Sequence, residues 1–162
     1  MSDIQRAGTT PRYSDFTVHQ GVVYCVEVPP DETADIATQT AQMLASLEAL
    51  LERAGSGKGR LLLATLYLVD MADYDAVNAV WDAWVPAGTA PARACVQVGR
   101  LASPGWRVEI AVQAALAGAV DRHHRAAFRQ AVAFMHRQAQ RPGGVAQGFA
   151  HRGAADGDVT QA

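Results

Sequence analysis

The chain has 162 residues, the size of about one domain able to bury roughly two-thirds of its unfolded surface. Hydrophobic residues make up 49% and charged residues 19%, which excludes a disordered chain and leaves less surface charge than usual, as if some surface were covered by other chains. A net charge of -2 excludes a global electrostatic attraction to nucleic acid or to an anionic membrane.

Alanine occurs 32 times, and Lys58 is the only lysine among 14 basic residues, a skew read as genomic bias. Met1 to Pro30 has no apolar stretch behind a basic start, so no signal peptide is expected, and no apolar run approaches membrane-spanning length. Cys25 and Cys95 stand far apart without metal-ligand spacing, and a cytoplasmic, reducing location is expected.

Residues 1–12 are polar, with Gly8 and Pro11, and read as a flexible arm. Phe16 to Val28 alternates or runs apolar around His19-Gln20-Gly21, which predicts a β-hairpin turning at Gln20-Gly21 and ending at Pro29-Pro30. Thr33 is placed to cap a helix, with Asp35 in its first turn; Ile36, Thr40, Met43, Leu44, Leu47, Leu50 and Leu51 form its apolar stripe, and Gly55 stops it. Arg60 to Val69 is a continuous apolar run, as expected for a central strand covered on both faces. Asp70 or Asp73 caps a second helix in which Tyr74, Val77, Trp81 and Trp84 or Val85 recur at helical spacing before Pro86 and Gly88.

Two further strands are predicted, Ala92–Val98 and Arg107–Ala114, joined across Ser103-Pro104-Gly105. Arg93, Cys95 and Gln97 share a face of the first, and Glu109, Ala111 and Gln113 share a face of the second. The predicted order is ββαβαββ. Beyond it, residues 118–141 read as an additional amphipathic helix, with Phe128, Val132 and Met135 to one side and Arg122, Arg125 and Arg129 to the other; residues 142–162 are Gly/Ala-rich and read as a disordered tail.

Arg93 enters a strand straight after a Gly/Pro-rich loop. It is either an edge arginine or a guanidinium that grips a carboxylate through two parallel hydrogen bonds. Glu109 interrupts an apolar strand, as a solvated carboxylate or as a general base orienting water. Cys95 lies two residues from Arg93, and Asn78 sits inside a helix where asparagine needs a partner. His123, His124 and His136 lack ligand spacing and acidic company, so no metal site is expected, and no phosphate loop, GxSxG or HExxH occurs.

Taken jointly, Tyr13-Ser14, Val22-Val23-Tyr24, Ile36-Ala37-Thr38-Gln39-Thr40, Ala64 to Met71, Val77-Asn78, Pro91-Ala92-Arg93-Ala94-Cys95-Val96 and Val108-Glu109-Ile110 resemble the reactive intermediate deaminase family, the RidA/YjgF proteins, across residues 13–117. The resemblance implies a chorismate-mutase-like α+β subunit, a mixed sheet with two helices on one face, assembled as a homotrimer with the pocket between subunits. It implies cofactor-free deamination of a small, anionic enamine or imine to an oxo compound and ammonia. Arg93 matches the residue that binds the substrate carboxylate, and Glu109 the one that positions water. Tyr13, Asn78 and Cys95 match pocket-lining positions.

One departure stands out. Where the family usually has Ser-Gly-Gln after the second strand, this chain has Val26-Glu27-Val28, with one residue deleted nearby. Facing inward, Glu27 would place a second carboxylate beside Arg93, either neutralising it and repelling a carboxylate substrate or supplying a new acid or base; facing outward, it would be a surface residue. An altered substrate range follows from the first case. A non-catalytic ligand-binding trimer and an enzyme acting on an aromatic-ring-derived intermediate are the alternatives.

Overall fold

The computed structural model describes residues 3–118; the expected additional helix and tail fall, from residue 119 on, outside the described residues. The elements are β1 (Gln5–Ala7), β2 (Phe16–His19), β3 (Val22–Glu27), α1 (Ile36–Arg53), β4 (Leu61–Leu68), α2 (Tyr74–Trp84), β5 (Ala92–Gln97) and β6 (Val108–Ala115). They form one six-stranded sheet in the order β1-β2-β3-β6-β4-β5. Only β4 and β5 run parallel, so the sheet is mixed and the fold α+β, as the resemblance implies.

The hairpin turns at Gln20 and Gly21, both with positive φ (47° and 79°), the twist that a two-residue connection between antiparallel strands requires. Helix α1 begins at Asp35 rather than at Thr33. The Asp35 carboxylate accepts from the Thr38 N–H, while Thr33 is held instead by Asp31 in the preceding turn. Gly55 ends the helix with φ +80°, and the Ser56 N–H closes back onto the Leu51 carbonyl at 2.8 Å. Asp70 caps a 3-10 turn, Met71–Asp73, that leads into α2.

Part of the segment expected to be a flexible arm is ordered. Residues 5–7 pair with β2, and the Asp15 N–H donates to the Ala7 carbonyl. The strand predicted over Arg60 to Val69 is shorter, since Arg60 belongs to a 3-10 turn; its guanidinium holds the Ala115 and Leu116 carbonyls at 2.9 and 2.6 Å.

The core lies between the helices and one sheet face. Met43, Leu44, Leu47 and Leu51 of α1 and Val77 and Trp81 of α2 cover Val23, Ala64, Leu66, Leu68, Val108, Ile110 and Ala114. Among the described residues the opposite face carries no helix, so within them β4 is covered by helices on one side only, where the sequence reading expected both. Leu63, Thr65 and Tyr67 of β4 are half-buried, and Tyr24 and Val26 of β3 are exposed. Among the described residues no helix is long and apolar enough to cross a membrane.

Candidate functional site

The sheet's parity divides the candidate residues between two places. Arg93 and Cys95 pair in register with Ala64 and Leu66, so they lie on the helix side; Glu109 pairs with Tyr67, so it lies on the open side. Within one chain Arg93 and Glu109 therefore do not meet.

On the helix side, α2 shapes the surroundings of Arg93. Its guanidinium lies 4.9 Å from the centroid of the Trp81 ring, and Nη1 donates to the Asn78 Oδ1 at 2.8 Å. Asn78 is thus satisfied in mid-helix by the arginine. The remaining Nε and Nη2 are buried and have no partner. These are the two edge N–H groups of a guanidinium that a carboxylate can engage together. Next to them, burial pushes the Cys95 thiol above its ordinary value, against the pull of the Arg93 charge, so it sits mainly as a neutral thiol.

On the open side lies a cavity of about 960 Å³, whose walls include Tyr13, Tyr24, Tyr67, Trp106, Thr65 and Gln113. The acidic residues that border it are Asp15, Glu27 and Glu109, and no Arg, Lys or His lines it among the described residues. Asp15 is paired at the rim with Arg53, at 3.1 Å. Burial alone raises the Glu109 carboxyl above its ordinary value.

Glu27 pairs with Ile110 at the end of β3, on the opposite parity from Glu109. Its carboxyl lies on the helix side, near Ser46 of α1 and Asp15, and within one chain it does not meet Arg93. Burial holds it above the ordinary glutamate range and Asp15 adds to the rise, while hydrogen bonds from Ser46 and the Val28 backbone pull the other way.

A carboxyl whose folded value is raised favours folding fully only below its unfolded value, here 4.5, and that contribution is lost as pH rises through the folded value. Glu27→Gln is therefore expected to raise the melting temperature at neutral pH, with the gap closing below about pH 4.5. A gap of the opposite sign in melts across pH would mean that a cation meets this carboxylate in the assembled protein.

Tyr13, Glu27 and Glu109, singled out in the sequence, border this cavity, as do Tyr24, Tyr67, Trp106 and Asp15, which the sequence reading did not single out. The apolar run of β4 conceals which residues face outward, and Trp106 follows a turn that reads as a mere connection. Its position is set by Gln39, fully buried in α1, whose Nε2 donates to the Glu32, Ala34 and Gly105 carbonyls while Oε1 accepts from the Arg107 N–H at 3.0 Å. Arg107 in turn pairs with the buried Asp73. Among the described residues no group of three or more His, Cys, Asp or Glu side chains is placed to hold a metal ion.

Comparison with known proteins adds a common pattern. The family model described as Endoribonuclease L-PSP matches residues 4–116. The RutC family protein YoaB of Escherichia coli is 44% identical over 113 residues, 70% of this chain and 98% of that protein. The crystal structure of a YjgF-family protein from Neisseria meningitidis superposes with a TM-score of 0.68 at 47% identity, covering 71% of this chain and 96% of that one. A 2-iminobutanoate/2-iminopropanoate deaminase of Escherichia coli is 39% identical over 77 residues, 46% of this chain and 57% of that enzyme.

Proposed function

Since the chain belongs to the RidA/YjgF family, we propose that it hydrolyses a small imine or enamine to an oxo compound and ammonia, at sites shared between subunits of a cytoplasmic homotrimer. The observation that carries this reading is the Arg93 guanidinium. It is anchored by Asn78 and stacked on Trp81, with Nε and Nη2 left for a carboxylate. The similarity to an iminobutanoate/iminopropanoate deaminase supplies the reaction class.

The opposite parities of Arg93 and Glu109 are the reason for a shared site. Arg93 of one subunit holds the substrate carboxylate, while Glu109, with Tyr13, comes from the open face of its neighbour. The face of apolar and aromatic side chains that no helix covers among the described residues, including Tyr24, Val26, Leu63, Tyr67 and Val96, is what a neighbouring subunit would cover.

The chemistry needs only orientation and one proton relay. The carboxylate clamp fixes the C=N carbon; Glu109 accepts a proton from the attacking water as its oxygen bonds to that carbon. The proton passes to the imine nitrogen to give the carbinolamine; its hydroxyl proton then moves to the amino nitrogen as the C–N bond breaks, leaving the carbonyl and ammonia. No cofactor is required, because the imine carbon is already electrophilic. Burial raises Glu109, so its basic form accumulates only above the ordinary glutamate range, and activity should climb with pH through that raised value.

The test is decay of imino acids generated by an amino-acid oxidase and followed by trapping. Wild type should accelerate decay and Glu109→Gln should lose at least about tenfold in kcat/KM, as removal of a general base does. Ligand-induced stabilisation without acceleration of any imine would favour the non-catalytic binder instead. The ribonuclease activity in the family model's description is not carried over, since among the described residues no basic side chain borders the cavity to hold a phosphate.

A further inference from the structure

The Arg93 clamp is only as well placed as the ring it lies on. Asn78 holds Nη1, but a single hydrogen bond leaves the guanidinium free to pivot, and the plane in which Nε and Nη2 are offered depends on the Trp81 ring at 4.9 Å. Trp81 is buried, and one helical turn on Trp84 meets it, with ring centroids 5.7 Å apart and planes tilted by 47°.

Trp84 is held in turn from the other helix. Its Nε1 donates to the Glu48 Oε2 at 3.0 Å. Glu48 is itself gripped by Lys58, the chain's single lysine, whose Nζ lies 2.9 Å from Oε1 and 5.8 Å from the centroid of the Trp84 ring. The hydrogen bond from Lys58, and after it the one from Trp84, holds the Glu48 carboxyl below its ordinary value against the effect of burial, so it stays ionised at neutral pH and accepts strongly. Contacts therefore run without a gap from Lys58 through Glu48, Trp84 and Trp81 to Arg93, crossing from α1 to α2 to β5. An apolar side chain at position 48 would cover Trp84 as well, without the cost of desolvating an ion pair; only an acceptor fixes the rotation of the indole.

We infer that Glu48 and Trp84 are positioning residues for the substrate carboxylate. Glu48 fixes the rotation of Trp84, Trp84 fixes Trp81, and Trp81 sets the plane in which Arg93 presents its two N–H groups. This rests on the reading of Arg93 as the carboxylate clamp and is independent of the hydrolysis step.

Calorimetric titration with 2-oxobutanoate and with its uncharged counterpart 2-oxobutanamide isolates the share of binding that belongs to the anion. Wild type should prefer the oxo acid by at least about tenfold, as two charge-assisted hydrogen bonds imply. In Glu48→Leu, and in Trp84→Phe, which keeps a ring against Trp81 but has no N–H to fix it, that preference should fall at least about threefold while the affinity for the amide stays within about twofold. Glu48→Gln, whose amide oxygen still accepts from the indole, should keep most of the preference. A preference unchanged in both of the first two variants, acid and amide weakened alike, or a loss in Glu48→Gln as large as in Glu48→Leu overturns the inference. So does a wild type that binds both compounds equally or neither. Selective binding of the oxo acid without acceleration of any imine would sink the hydrolase reading alone and leave this one standing.

Discussion

Arg93→Ala is expected to lower kcat/KM for imine hydrolysis at least about a hundredfold, or ~2.7 kcal/mol of transition-state stabilisation, measured by the imine-decay assay. The magnitude follows from what is lost: two charge-assisted hydrogen bonds and the placement of the reacting carbon. Arg93→Lys should recover little, since an ammonium cannot bridge the Asn78 carbonyl, lie on the Trp81 face and present two parallel N–H groups at once.

The decisive form of this experiment combines two dead variants. If Arg93 and Glu109 act across subunits, co-expressed Arg93→Ala and Glu109→Gln chains form mixed trimers with one intact site each, returning about a quarter of wild-type activity when chains mix randomly. Separate homotrimers of the two variants, mixed after purification, should stay inactive. No recovery on co-expression would refute the shared site.

Gln39→Leu is expected to cost about 2–4 kcal/mol of stability, seen as a lower urea midpoint at unchanged slope. Leucine approximates the volume but leaves the Gly105 carbonyl and the Arg107 N–H without the partners that a fully buried amide gave them. The loop that Gln39 fastens carries Trp106 and leads directly to Glu109, so the same variant should broaden or red-shift the tryptophan emission before unfolding. A midpoint within error of wild type would mean that water replaces the amide at this site.

Much of this fold is legible in the sequence because its elements obey simple periods. The stripe from Ile36 to Leu51 specifies α1, and Gln20-Gly21 specifies a turn whose φ values the structure shows. Pairing is not legible in the same way. Nothing local says that β6 lies between β3 and β4 or that β5 runs parallel to β4, and the run Leu61 to Leu68 hides its two faces because leucine occurs on both.

For the site, the local pattern placed Arg93 with Cys95, and Glu109 with Gln113, on common faces, as the register confirms. It could not say that those faces are opposite ones. Glu27 was open in the sequence because its direction depends on which strand pairs with β3 near its end. Trp106 and Asp15 were missed since loop residues acquire neighbours only through tertiary contacts, here the Gln39 amide and the Arg53 ion pair.

The central place of β6 also governs how the chain reaches its native state. Without β6 the sheet falls into two halves, β1-β2-β3 and β4-β5, with no strand pairing between them. The strand that joins them is the last of the described ones in chain order, and its Val112 and Ala111 pair with Cys25 and Val26, more than eighty residues earlier. Closing so long a loop has to precede the gain from pairing, so refolding should be limited by insertion of this one strand. Until it inserts, β3 and β4 both present open edges, and this interval is when the chain is most prone to pair with another copy of itself.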